Sequence, residues 1–577
     1  MTFAAPPVDL LLLHPPSVYD FRDQAILYGP VSDMVPSSVV FELYPVGFLT
    51  MAGYLGDRGL AVRIVNLALR MMTNRRFDVR KFLAAQRPAA VGIDLHWLPH
   101  AHGALEVARL VKELHPDVPV IMGGLSASYY HDELAARPEV DYVLSGDSTE
   151  QPLHELLVAL REGRPVDGIA NLSWKDGGRV RTNPLSYIPP NLDDADVRPE
   201  LLVEMAVRYR DVSGVLPFNG WLANPTTMVL PLKGCAWDCV TCGSSKSTCI
   251  HLTGRRQPAF LSPARLVESV QAIGRFSRGP VVIPGDLLQG GEAYATAVLD
   301  GLAAARVDNE ICFEFFHLPP RGYLARIDRS LPNWSFEISP ESHDPDVRGA
   351  LDGKCGYDNA AFESFLREAL ALDCHRIDVF FMIGLPRQTY DSVMQTVAYC
   401  GQLMNMGDPR LCAFISPMGP FLDPGSRIFE APERYGYRLF ARTLEEHRQL
   451  LVQPSWEQIL NYETEWMSRA ELVDATYDAA ERLNALKCEH GRIPRRRAQA
   501  VAAGIAEARR LRARLATGAV PDVALRGEIN RYSASTVCDK RELFWQRHLF
   551  NFRFDAILRA ALSGRRRGAT APSAASV

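Results

Sequence analysis

The sequence is short of cysteine, carries no long hydrophobic run and has almost no excess of either charge. Eleven cysteines in 577 residues, most of them scattered singly at 312, 355, 374, 400, 412, 488 and 538, exclude the disulfide framework of a secreted scaffold. No stretch approaches the ~18 apolar residues of a membrane span, and the opening "MTFAAPPVDLLLLHPP" lacks the basic segment of a secretion signal. A cytoplasmic protein with no membrane partner is expected. The net charge of −4 gives no long-range attraction to nucleic acid. The basic runs "RIPRRR" (492–497) and "GRRRG" (564–568) read as solvated helix ends and tail. A G-x-G-x-x-G dinucleotide fingerprint is also missing, which disfavours a nicotinamide cofactor.

What is present is alternation. From residue 8 to about 160, short apolar runs such as "VDLLLLH", "AAVGIDLHW" and "VPVIMGG" alternate with amphipathic segments such as "HGALEVARLVKELHP". This rhythm predicts an α/β fold with a doubly wound parallel sheet, whose ligands bind beyond the carboxyl ends of the strands. Those ends carry "HPPS" (14–17), "DLHWLPHAHG" (94–103), "GGLSAS" (123–128) and "SGDSTE" (145–150). Isolated prolines and glycines suggest a linker over 166–225. A second α/β series over 226–430 predicts an open or partial barrel, and residues 431–577 read as a helical region ending in the disordered tail "RRRGATAPSAASV".

Directly after the first strand of the second series stands "LPLKGCAWDCVTCGSSK" (230–246), with thiols at Cys235, Cys239 and Cys242. Buried thiols acting as small hydrophobes do not suit a loop flanked by glycines. Zinc would need a fourth ligand, Cys249 or His251, and more commonly takes two separated pairs. An iron-sulfur cluster held by three thiolates, with one iron left open, is the remaining reading.

The C-x3-C-x2-C loop in this position resembles that of the radical S-adenosylmethionine (SAM) enzymes, which fold as a partial (β/α)6 barrel and in which the open iron of a [4Fe-4S] cluster chelates SAM. Four later segments resemble the family in order. "PGD" (284–286) would hold the methionine amino group through Asp286, with "GGE" (290–292) as the alternative match. "EISPES" (337–342) would contact ribose and carboxylate through Glu341 and Ser342. "FFMIGLPRQT" (380–389) supplies Gly384, Leu385 and Pro386 on the adenine side, and "ISPMGPFLDPGS" (415–426) resembles the closing strand. Thr241 stands where the family has an aromatic residue, which makes Trp237 the candidate adenine contact.

Residues 1–165 are similar to the Rossmann-like cobalamin-binding domain that precedes one class of these enzymes. The resemblance implies contacts from Ser17, from Leu95, His96, Trp97 and Leu98, from Gly123, Gly124, Ser126 and Ala127, and from Gly146, Asp147 and Glu150. Ser126 and Ser128 would bond the nucleotide tail. The D-x-H-x-x-G motif that supplies an axial histidine is absent. His96, His100 and His102 are candidate cobalt ligands, but the expectation is that Leu95–Leu98 shields the lower face of cobalt without ligating it.

The resemblance implies a methyltransferase. Reductive cleavage of SAM yields a 5′-deoxyadenosyl radical, and methylcobalamin delivers a methyl group to an unactivated or heteroaromatic carbon. Composition fits a GC-rich bacterium and antibiotic biosynthesis or other secondary metabolism. The pyrrole methyltransferases of aminocoumarin antibiotics are a more specific resemblance, with a pyrrole-2-carboxyl group on a carrier protein that meets the Arg-rich helices beyond 490. A flavodoxin or ferredoxin is the expected electron donor. A cobalamin-associated cyclase, oxidase or rearranging enzyme, and a non-enzymatic metal-binding module, remain as alternatives. Tyr323, Glu314, His317, Tyr390, Glu463 and Trp466 are candidate pocket residues; the catalytic residues are not legible.

Overall fold

The computed structural model describes residues 7–29, 38–195, 197–353, 355–516, 522–535 and 551–569. Its first unit is built on β1 (Val8–His14), β2 (Val62–Asn66), β3 (Pro88–Asp94), β4 (Val120–Gly123) and β5 (Tyr142–Leu144). They pair in parallel in the order β2-β1-β3-β4-β5. Leu10–Leu13 of β1 are all buried, because helices cover both faces of the sheet. Each such leucine contributes roughly 1.5–3 kcal/mol on leaving water, which is why an unbroken apolar run reads as a central parallel strand.

The segment 166–225, expected as a linker with some ordered pieces, carries β6 (Leu172–Asp176) and β7 (Arg179–Thr182), which extend this sheet antiparallel to seven strands. It also carries helices at Glu200–Tyr209 and Val212–Val215. Strand β7 is largely exposed, as suits an edge.

The second unit opens with β8 (Thr227–Met228) and contains a small antiparallel pair of β9 (Leu232–Lys233) with β10 (Ala259–Phe260). Its main sheet adds β11 (Val281–Ile283), β12 (Ile311–Phe315), β13 (Trp334–Glu341), β14 (Ile377–Ile383) and β15 (Leu411–Pro417). The order is β8-β11-β12-β13-β14-β15 and every pairing is parallel. Among the described residues β8 and β15 do not pair, so the barrel is open, as expected. Capping fixes the helices between strands: Ser262 accepts from the Arg265 N–H, and Asp358 from the Ala361 N–H.

The last region, expected to be mostly helical, also carries an antiparallel pair, β16 (Tyr437–Leu439) with β17 (Tyr462–Thr464). Helix Arg469–Glu489 starts in a Ser468–Glu471 capping box and packs on β15 beside the open seam. Helix Phe554–Ala569 returns to pack on Glu200–Tyr209. Residues 565–569, expected in a disordered tail, are helical; the rest of that tail lies outside the described residues. No helix among the described residues is long and apolar enough to cross a membrane.

Candidate active site

The carboxyl end of the first sheet is organised by β1 and β3, where the strand order reverses. His14 ends β1 and Asp94 ends β3; His14 Nδ1 lies 3.0 Å from Asp94 Oδ1 and both residues are buried. Nε2 of His14 and Nε2 of His100 both donate to the carbonyl of Phe41, at 2.9 and 3.0 Å. Burial raises the Asp94 carboxyl pKa, but the neighbouring His14, His100 and His96 outweigh it and hold the group below its ordinary range. Burial lowers the pKa of His96, His100 and His102 to about 4 each, so all three are neutral near pH 7.

The three candidate cobalt ligands therefore separate. His100 is tied to Phe41, and His102 Nδ1 accepts from the Tyr19 N–H at 3.3 Å. His96 and Trp97 line a cavity of about 510 Å³, packed edge to face with ring centroids 4.9 Å apart. Gly123, Gly124, Gly146 and Asp147 share that lining. Gly124 has φ +120°, and a Cβ there would sit 2.6 Å from the His96 backbone; only glycine lets β4's exit lie against the loop after β3.

Other expected contacts turn inward. Ser126 Oγ donates to His96 O (3.1 Å) and Ser128 Oγ to Gly124 O (2.8 Å), while Ser128 Oγ accepts from the Gly146 N–H (2.9 Å). Their hydroxyls brace the glycine loop. Ser17 Oγ points at Val39 O (3.4 Å), and Leu95, Leu98 and Ala127 are core residues.

The cavity's other wall comes from the second unit, including Lys233, Gly234, Val282, Pro284 and Glu337. The two units are clamped beside it. Arg255, 3% exposed, grips Asp147 through Nε and Nη2 at 2.6 and 2.8 Å. Lys233 Nζ donates to Asp147 O (2.6 Å) and Ser148 Oγ (3.2 Å) and lies 3.8 Å from Glu150. Asp147 and Glu150, expected as cofactor contacts, thus also receive cations from the strap that carries the cysteines. Burial pushes the Asp147 carboxyl up, yet the Arg255 bonds hold it below its ordinary range.

Cys235, Cys239 and Cys242 are all partly exposed on this strap. Backbone N–H groups of Trp237 and Ser244 point at the sulfurs of Cys235 (3.4 Å) and Cys242 (3.3 Å), the kind of bond that stabilises thiolate ligands of a cluster. Burial, with Asp423 and the other two cysteines nearby, pushes the Cys242 thiol up, so a free thiolate there needs a cation to hold it. Gly353 packs so closely that a Cβ would fall 2.3 Å from Cys239 Sγ. Cys249 instead donates to Ser244 O at 3.3 Å.

Around the strap, Trp237 lies 4.0 Å from His317 between ring centroids. Asp286, with φ +49°, accepts from the N–H groups of Leu288 and Phe316, both at 3.0 Å; its carboxylate shapes the loop after β11. The alternative match falls away from the loop, since Glu292 is exposed in the first turn of the next helix. Glu341 ends β13 at a register shift with φ +67°, and Ser342 Oγ accepts from the Asp344 N–H at 3.1 Å. Gly384 (φ +97°) lies under Tyr462, its carbonyl accepting from Tyr437 Oη at 2.7 Å, with Leu385 and Pro386 buried beyond it.

Of the candidate pocket residues, Glu314 accepts from the Gly285 N–H (2.6 Å) and Tyr323 packs on Phe315. Tyr390 bonds Asp478, Glu463 pairs with Arg438 at 3.3 Å, and Trp466 covers Gly436, so these three are occupied elsewhere. Sequence reasoning missed His14, Asp94, Lys233, Arg255 and Glu337. The signal for the first two was available, since both end adjacent strands at the reversal point.

Residues 34–154 match the B12 binding domain. An uncharacterised methyltransferase of Pyrococcus horikoshii is 32% identical over 170 residues, which is 29% of this chain and 34% of the relative. A hopanoid C-3 methylase of Methylococcus capsulatus is 25% identical over 217 residues, 37% of this chain and 38% of the relative. The matches thus span little more than a third of either curated relative. Among solved structures, the radical SAM methyltransferase TsrM of Kitasatospora setae, with cobalamin and a [4Fe-4S] cluster bound, superposes with a TM-score of 0.56 at 17% identity, over 83% of this chain and 89% of that one. The cobalamin-dependent SAM radical enzyme OxsB, with aqua-cobalamin and SAM bound, gives 0.56 at 13% identity, over 97% and 79%. The chain therefore joins a match to the B12 binding domain, over residues 34–154, to the overall fold of the cobalamin-dependent radical SAM enzymes.

Proposed function

We propose that this protein is a cobalamin-dependent radical SAM enzyme that transfers a methyl group to carbon. The observation that carries the reading is the single cavity walled on one side by His96, Trp97 and Gly124 of the first sheet and on the other by Lys233, Gly234 and Glu337 of the second unit. A corrin on the first wall would then face a substrate space that the second unit closes.

The residues fit such cofactors. Cys235, Cys239 and Cys242, with two backbone N–H groups aimed at sulfur, would hold three corners of a [4Fe-4S] cluster. Glu341, Gly384 and Trp237, whose ring lies tilted against His317, would hold SAM. When bound, these groups supply a carbon-centred radical and a transferable methyl. The protein's own residues do the positioning. Neutral His96 and Trp97 form the cavity floor at the first sheet, the Gly124 loop braced by Ser126 and Ser128 keeps that floor fixed, and the Arg255–Asp147 clamp sets the separation of the two walls. Buried walls exclude water from the space between.

Anaerobically reconstituted, reduced protein incubated with methyl-labelled SAM should carry label into the bound cobalamin. Absence of label while 5′-deoxyadenosine still forms would favour a cyclase, oxidase or rearranging enzyme. The role in antibiotic biosynthesis, a cytoplasmic location, a carrier-bound pyrrole-2-carboxyl substrate and a flavodoxin or ferredoxin as donor belong to the same proposal.

A further inference from the structure

The inner wall of the cavity carries a carboxylate, Glu337. Strand registers place Glu314 of β12 opposite Glu337 of β13, Glu337 opposite Asp378 of β14, and Asp378 opposite Cys412 of β15. Register partners in a parallel sheet project from one face, and residues two apart on a strand share it. Val282 of β11 pairs with Cys312, Cys312 with Ser335, and Ser335 stands two before Glu337. Met228, Val282 and Cys312 form an apolar cluster on that same interior face. Met228, Val282 and Glu337 all line the cavity, so its inner end has an apolar patch beside Glu337, the middle member of a row of three carboxyl groups in strand register.

An acidic row alone would not mark a site, but two further observations do. The cavity reaches Glu337 directly. Asp378, 0% exposed, spends Oδ1 on Arg376 Nε at 2.8 Å, whereas its Oδ2 has no hydrogen-bond partner among the described residues. A buried carboxylate oxygen left without a donor is costly, and Asp378 stands in register beside Glu337, the residue that the cavity reaches.

We propose that this wall is a subsite for the ammonium group of a small amine substrate, with the nitrogen against Glu337 and the apolar body against Met228 and Val282. The inference rests on the reading of the cavity as the substrate space. Charge decides the class. An ammonium buried in an apolar cavity must be paired, carboxylates supply charge-assisted bonds that a neutral hydroxyl would make more weakly, and a carboxylate ligand would be repelled.

Benzylamine, benzyl alcohol and benzoate are the probes, titrated by anaerobic calorimetry into protein reconstituted with cobalamin and cluster. Wild type should bind benzylamine at least about tenfold more tightly than benzyl alcohol, with no saturable binding of benzoate. E337Q should abolish the preference for benzylamine over benzyl alcohol, E337D should restore part of it, and the Kd for SAM should move less than about twofold. Equal binding of amine and alcohol by wild type, a comparison that needs no variant to fold, would overturn the proposal. So would an E337Q effect on SAM matching that on benzylamine, because the acidic row would then serve the cofactor's own cation. Failure of the cofactor reading is separate: it would appear in the same preparation as absent 5′-deoxyadenosine or unbound cobalamin before any probe is added.

Discussion

Replacing Arg255 with alanine removes the guanidinium that holds Asp147 across the two α/β units. Arg255 is 3% exposed and makes two bonds to the carboxylate, at 2.6 and 2.8 Å, and a third to Pro189 O at 2.9 Å. Losing one partner of a buried pair costs about 3–5 kcal/mol. Lys233 already touches the same loop, so the lower end, ~3 kcal/mol, is expected. The Asp147 carboxyl is held below its ordinary range in the folded protein. Its contribution is therefore complete above the unfolded carboxylate pKa of about 4 and disappears as pH falls through the depressed folded value. Urea unfolding at pH 7.5 should show R255A losing ~3 kcal/mol, R255K losing less, and the difference from wild type shrinking under acid. Cobalamin release should accelerate in R255A, because one wall of its cavity is no longer clamped. A variant as stable as wild type at pH 7.5, with cobalamin held equally well, would refute the clamp.

Gly124→Ala places a Cβ 2.6 Å from the His96 backbone at φ +120°; it should cost at least ~1–3 kcal/mol and weaken cobalamin binding measured by equilibrium dialysis. Alanine at Cys235, Cys239 or Cys242 should abolish iron and sulfide incorporation in chemical assays, whereas Cys249→Ala, whose thiol bonds Ser244 O, should retain both. Burial raises the Asp378 carboxyl to about 6 against the Arg376 contact, so its charge opposes folding above that pH by about 3 kcal/mol, and the penalty is relieved as pH falls from about 6 toward 4. The stability advantage of D378N over wild type should accordingly be largest at pH 7.5 and shrink by pH 5, as read by denaturant unfolding; an advantage independent of pH would contradict the raised value.

The doubly wound sheet and the open barrel were legible because their strands are continuous buried runs, such as "VDLLLLH" and "RIDVFFMIGLP", separated by amphipathic helices. Strands β6 and β7 were not, because "LSWKD" ends in two exposed residues and "RVRT" is largely exposed at the sheet edge, so both read as polar linker. The cysteine strap was legible from local spacing. Arg255 was not, since its partner lies 108 residues away and a lone arginine carries no pattern. Glu337 was overlooked because "EISPES" drew attention to its last two residues, whereas strand register points the first one into the cavity.

The central claim is that corrin and cluster share one chamber. Electron paramagnetic resonance of the reduced protein, reconstituted with both cofactors and poised to hold cob(II)alamin beside the reduced cluster, tests it most directly. The account predicts faster relaxation and dipolar broadening of the cobalt signal relative to protein lacking the cluster, both lost in Cys239→Ala. A cobalt signal identical with and without the reduced cluster would contradict it.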